Sequence, residues 1–135
     1  MPMYYGHEYE VSVYVYLKVA MSKRKDQDEI EEEAFDATCR LYEHESHVEV
    51  VDNRTTEIEQ SGKYFTVANQ GLDLRIKVTA HDYDEACEEA DNIARSIENE
   101  LPAGVAWYDS EAYDAQVTGE AVDWDWGRED LAVGE

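Results

Sequence analysis

The chain has 135 residues, of which 33 are Asp or Glu and 11 are Lys or Arg, giving a formal net charge of −22 at pH 7. An apolar content of 43% at this length fills one core rather than two, and 10 Tyr, 3 Trp and many Val exclude a disordered acidic chain, which would be poor in such residues. The charge argues against direct binding of nucleic acid through its phosphates, and no run approaches the ~18 apolar residues of a membrane span.

The opening MPMYYGHEYE lacks a basic stretch followed by an apolar one, so no secretion signal is expected and the expected location is the cytoplasm. From Tyr9 to Ala20 the pattern alternates, with Val11, Val13, Val15, Leu17 and Val19 on one face and Tyr14, Tyr16 and Lys18 on the other, which predicts a strand. Asp26 to Glu43 repeats Ile30, Ala34, Ala37, Thr38 and Leu41 at helical spacing. His47 to Asp52 reads as a strand, and Thr55–Glu59 and Tyr64–Ala68 flank Gln60-Ser61-Gly62 as a hairpin. Leu72 to Ala80 alternates as the first strand does, setting Leu72, Leu74, Ile76 and Val78 against Asp73, Arg75 and Lys77. A second helix is predicted over Asp82 to Leu101, with Ala86, Ala90, Ile93, Ala94 and Ile97 on one stripe and Pro102 and Gly104 as its stop. Val105–Tyr108 and Tyr113–Trp124 supply further strand material.

Asp28-Glu29-Ile30-Glu31-Glu32-Glu33-Ala34 echoes Asp84-Glu85-Ala86-Cys87-Glu88-Glu89-Ala90, and each copy follows a strand containing Lys-Val. The order predicts an α+β domain: a ferredoxin-like split βαβ pair with two helices on one face of an antiparallel sheet, and an extra hairpin inserted near residues 53 to 70. Residues 1–126 form the single expected domain, and 127–135 a flexible acidic tail.

No catalytic arrangement emerges. His44-Glu45-Ser46-His47 is too tight for the helical H-E-x-x-H zinc motif, and His7 and His81 lie apart from it. There is no Gly-rich phosphate loop, and no cofactor is expected. Cys39 and Cys87 lack the paired spacing of a zinc site and are expected as free thiols. A non-enzymatic binding protein is the expectation.

The carboxylates point to the partner. Glu29, Glu32, Glu33, Asp36 and Glu43 fall on the polar side of the first helix, and Asp84, Glu85, Glu88, Asp91 and Glu98 on that of the second. Capping and the helix dipole account for anions at helix starts, such as Asp26, Asp28, Asp82 and Asp84, but not for Glu43, Glu98 and Glu100 near predicted ends. Two function classes follow. One is a nucleic-acid mimic that occupies the Lys- and Arg-lined site of a basic protein, as phage-encoded anti-CRISPR and anti-restriction inhibitors do in a host cytoplasm. The other is a small binding or structural domain adapted to a salty cytoplasm; an excess of Glu over Asp, five lysines and two cysteines favour the first.

Tyr14, Tyr16 and Lys18, with Arg75 and Lys77 on the partner strand, form a second candidate surface. Aromatic and basic residues on an open sheet make the stacking platform of RNA-recognition modules, but the overall field repels phosphate. The expectation is a covered face, buried by the hairpin, by the segment with Trp124 and Trp126, or by a second copy of the chain in a homodimer.

Overall fold

Strict alternation decides the two central strands. In β1 (Tyr5–Ser22), Val11, Val13, Val15, Leu17, Val19 and Met21 are all buried on one face. They meet β3 (Phe65–Ala80) antiparallel, with Val11 opposite Ile76, Val13 opposite Leu74 and Val15 opposite Leu72. This computed structural model describes residues 5–22, 26–61 and 64–123. Beside β3 lies β2 (Val48–Ser61), and beside β1 lies β4 (Val105–Asp123), giving one antiparallel sheet in the order β2-β3-β1-β4. The molecule is thus α+β, with two helices, α1 (Gln27–Thr38) and α2 (Tyr83–Arg95), packed against the sheet.

Both helices bury a short stripe against the core face: Ile30, Ala34 and Thr38 from α1, and Ala86, Ala90 and Ala94 from α2. Both also begin alike. Asp26 and Asp82 are N-caps whose carboxylates accept from the backbone N–H of Glu29 and Glu85 at 2.9 and 2.8 Å. The echoed segments therefore occupy equivalent places in β1-α1-β2 and β3-α2-β4. Between the helices, the buried Tyr42 donates its hydroxyl proton to the Ala94 carbonyl at 2.6 Å.

Three expectations need correction. The hairpin near residues 53 to 70 pairs as expected, with Thr55 opposite Gln70 and Ile58 opposite Ala68, but it is no insertion: Thr55–Glu59 continues β2, and the chain after Tyr64 enters β3. Bulges at Val51 and Thr56 break the period of two in β2, and the buried but polar Gln70 breaks the apolar alternation of β3, so two long strands read as four short ones. The first helix stops at Thr38, five residues early, where the Thr38 hydroxyl donates back to the Ala34 carbonyl; residues 39 to 44 are turns, and Glu43 therefore lies outside the helix. The second helix gives way to a 3₁₀ turn over Ser96–Glu100, which holds Glu98 and Glu100. The expected clash of these three anions with helix C-termini is accordingly relieved for Glu43 and displaced beyond α2 for the others.

Gly104 closes the connection into β4 with φ 87°, a conformation that favours glycine, and its carbonyl accepts from the Ala20 N–H at 2.7 Å. Gly62 of the predicted turn, Trp124, Trp126 and the tail at 127–135 lie outside the described residues.

Candidate functional site

Carboxylates outnumber cations on both faces of the sheet, and most steeply in the helix layer. α1 contains Asp28, Glu29, Glu31, Glu32, Glu33 and Asp36 and no Lys or Arg; α2 contains Asp84, Glu85, Glu88, Glu89 and Asp91 with Arg95 alone. Of the six described Lys and Arg, four (Lys18, Arg54, Arg75 and Lys77) belong to strands, at positions on the open face opposite the helices.

The ten acidic candidates divide by what they already do. Glu29 completes a capping box by accepting from the Asp26 N–H at 3.1 Å, and Glu85 accepts from the His81 N–H at 2.7 Å. Asp91 binds Arg95 at 3.0 Å and the Ser110 hydroxyl at 2.6 Å, tying α2 to β4. Glu33 is half-buried and engaged. Glu32, Asp36, Asp84 and Glu88 are exposed on the helices, while Glu43 and Glu98 are exposed in the turns that follow them. Asp28, Glu32 and Asp36 line up at i, i+4 and i+8 along α1, about 6 Å apart along its axis. One DNA strand carries a charge per about 3.4 Å, so this row has roughly half that density before its neighbours are added.

The open face differs in kind. Tyr14 and Tyr16 meet edge to face with centroids 4.5 Å apart, and the Tyr14 ring lies across Gly71, where any Cβ would collide with its hydroxyl. Arg54 packs 5.9 Å from the Tyr14 ring centroid, pairs with Asp52 and sits 3.8 Å from Asp73, which also accepts from the Tyr113 hydroxyl at 3.2 Å. Burial pushes the Tyr14 and Tyr113 hydroxyls above their ordinary pKa; Arg54 partly offsets this for Tyr14, and Asp73 adds to it for Tyr113. Lys18 lies 5.1 Å from the Tyr108 centroid and 3.6 Å from Glu59.

The structure splits the predicted sheet patch. Tyr14, Tyr16 and Lys18 stand opposite Asp73, Gly71 and Asn69, whereas Arg75 and Lys77 stand opposite Ser12 and Glu10, toward the other end of the strands. Sequence reasoning missed Tyr108, Tyr113 and Arg54 as parts of this face. Tyr108 and Tyr113 are the extra residues of two bulges in β4, where they escape the alternation that would have placed them.

Cys39 and Cys87 are free and half-buried, and burial raises the Cys87 pKa, which disfavours its thiolate. Among the described residues no three or more His, Cys, Asp or Glu come together as a metal site, and no helix is long and apolar enough to cross a membrane. Comparison with family models, curated proteins and solved structures finds no match to this chain.

Proposed function

We propose that this chain is a non-enzymatic acidic inhibitor whose helix layer imitates nucleic acid and occupies the nucleic-acid site of a basic protein, acting in a host cytoplasm as anti-CRISPR or anti-restriction proteins do. The observation that supports it is the near absence of cations from the helices: eleven carboxylates on α1 and α2 stand against Arg95 alone. Such a surface attracts a Lys- and Arg-lined groove from a distance and gives it regularly spaced acceptors on contact. The order β1-α1-β2-β3-α2-β4, with β1 and β3 central, also supports a ferredoxin-like split βαβ scaffold holding the helices side by side.

The test is capture of basic nucleic-acid-binding proteins by the full chain, with duplex DNA as competitor. A fourfold amide variant, Glu32→Gln, Asp36→Asn, Asp84→Asn and Glu88→Gln, spares the caps. It should slow association and flatten its salt dependence while the fold persists. Partners that DNA does not displace, or equal binding by the variant, would defeat the proposal.

A salt-adapted domain is the second reading, supported by the repelling row Asp28, Glu32 and Asp36 in a helix without a cation. Near-ultraviolet circular dichroism separates the two readings. A mimic from an ordinary cytoplasm keeps its tertiary signal at ~0.15 M salt, where charges beyond the ~8 Å screening length are already damped, whereas a salt-adapted chain regains it only at molar salt.

A further inference from the structure

We infer that the open sheet face carries a binding site for an organic cation, an ammonium group on an aliphatic chain, in the cleft between Tyr16, Tyr108, Glu57, Glu59 and Asn69. This site lies across the sheet from the acidic helices and stands independently of their role. The cleft encloses about 300 Å³ and is open to solvent on one side.

Its chemistry is that of a cation holder. The Asn69 amide Nδ2 donates to Glu57 at 3.3 Å and to Glu59 at 2.7 Å, so two carboxylates converge on one nitrogen. Hydrogen bonding from Asn69, and then the charge of Lys18, hold the Glu59 carboxyl below its ordinary pKa, so it stays ionised. Lys18 already demonstrates the mode of binding, with its ammonium beside Glu59 and within reach of the Tyr108 ring.

One ammonium against two carboxylates leaves a negative charge, and Glu57 makes no ion pair among the described residues. The NH₂ of Asn69 is committed to these carboxylates and holds both in place. The exposed rings of Tyr16 and Tyr108 supply aromatic walls. An anion would meet two carboxylates here. A bare metal ion would find two carboxylates where it needs more ligands, whereas a weakly hydrated organic ammonium uses rings and carboxylates together.

The experiment titrates the full chain with butyltrimethylammonium chloride, against potassium chloride at equal ionic strength, following the Asn69 side-chain amide and the tyrosine rings by NMR. Saturable shifts at Asn69, Tyr16 and Tyr108 are expected with the organic cation alone. Tyr108→Ala should weaken binding about 5-fold, the scale of one exposed cation–π contact, while Tyr108→Phe keeps the ring and the affinity. Glu57→Gln should weaken binding, and the fourfold helix variant should leave the site occupied. Identical shifts with potassium, or unchanged affinity in both Tyr108→Ala and Glu57→Gln, would overturn the site. Loss of binding in the helix variant would do the same by assigning it to the overall field. Tyr108 is 67% exposed, and if its removal nonetheless disturbed the spectrum, Glu57→Gln at wild-type affinity would be decisive against the proposal.

Discussion

In β1-α1-β2 the helix rests on Ile30, Ala34 and Thr38, and Thr38 starts a run of side-chain hydrogen bonds that crosses the sheet. Its hydroxyl donates to the Ala34 carbonyl and accepts from Asn53; the Asn53 Oδ1 accepts from Gln70, whose Oε1 accepts from Thr55. In β3-α2-β4 the equivalent stripe is Ala86, Ala90 and Ala94, all fully buried, so the centre of the α2 seam is methyl groups, with Cys87 and Ile93 beside them and the Asp91–Ser110 bond at the β4 edge. Open grooves flank α1 on both sides of the exposed Phe35 ring. One sequence plan, repeated, has thus produced a polar seam under one helix and a dry one under the other. Polar seams fix a position through bond geometry, and dry ones through close packing.

The largest effect should come from the dry seam. Ala90→Leu inserts a side chain where nothing can yield and should cost about 3 kcal/mol in urea unfolding, the upper range for overpacking. A loss under ~1 kcal/mol would mean that α2 is seated as loosely as α1. Next is the polar seam: Gln70→Leu removes one partner each from the half-buried Asn53 and Thr55 and should cost about 2 kcal/mol, within the range for polar groups that lose a partner. Native-state hydrogen exchange should then show easier opening of α1 amides with α2 unchanged; equal loosening of both helices would remove the distinction between the halves.

Tyr42 bridges the halves, and Tyr42→Phe should cost about 1 kcal/mol at pH 7 by leaving the Ala94 carbonyl without that donor. Burial first, then Glu45 and Asp91, raise the Tyr42 pKa above its ordinary value of ~10. The stability linked to its proton is complete below about pH 10 and is lost as pH rises through the folded-state value, because the unfolded chain ionises first. Urea unfolding between pH 9 and 11 should therefore decline less steeply in Tyr42→Phe than in the wild type; identical slopes would remove Tyr42 from the linkage. Smallest is the difference between the caps. Asp26→Ala and Asp82→Ala should each cost about 1 kcal/mol and agree within a few tenths by thermal unfolding, since both helices start with the same bond. Unequal losses would show that the halves differ at their starts as well as under their stripes.

Much of this was legible in the sequence. The alternation of Val11 to Val19 and of Leu72 to Ala80 placed the central strands, and the Asp caps and alanine stripes placed the helices, because each rests on a local period or a local bond. The long edge strands were less legible, since bulges at Val51, Thr56, Tyr108 and Tyr113 shift the period partway along. For the same reason the candidate cleft escaped notice: Tyr108 and Glu57 join Lys18 only through pairing between distant strands. The acidic helix face was legible as composition, but not the division between Glu29, Glu85 and Asp91, which hold the fold, and Glu32, Asp36, Asp84 and Glu88, which stand free on the helices.

By itself the sequence determined the net charge, the number of helices, the pairing faces of the central strands and the acidic character of the helix layer, because each follows from residue type and spacing along one segment. Tertiary structure alone decided where α1 ends, that residues 53 to 70 lengthen the sheet, and that the four strand cations share a face with tyrosines while the helices keep nearly unrelieved negative charge. Those outcomes depend on what lies opposite each residue across the sheet or beneath each helix. In the stretch from Thr38 to Val48 no Gly or Pro marks a stop, and the chain there is held by a bond between distant segments, from Tyr42 to the Ala94 carbonyl.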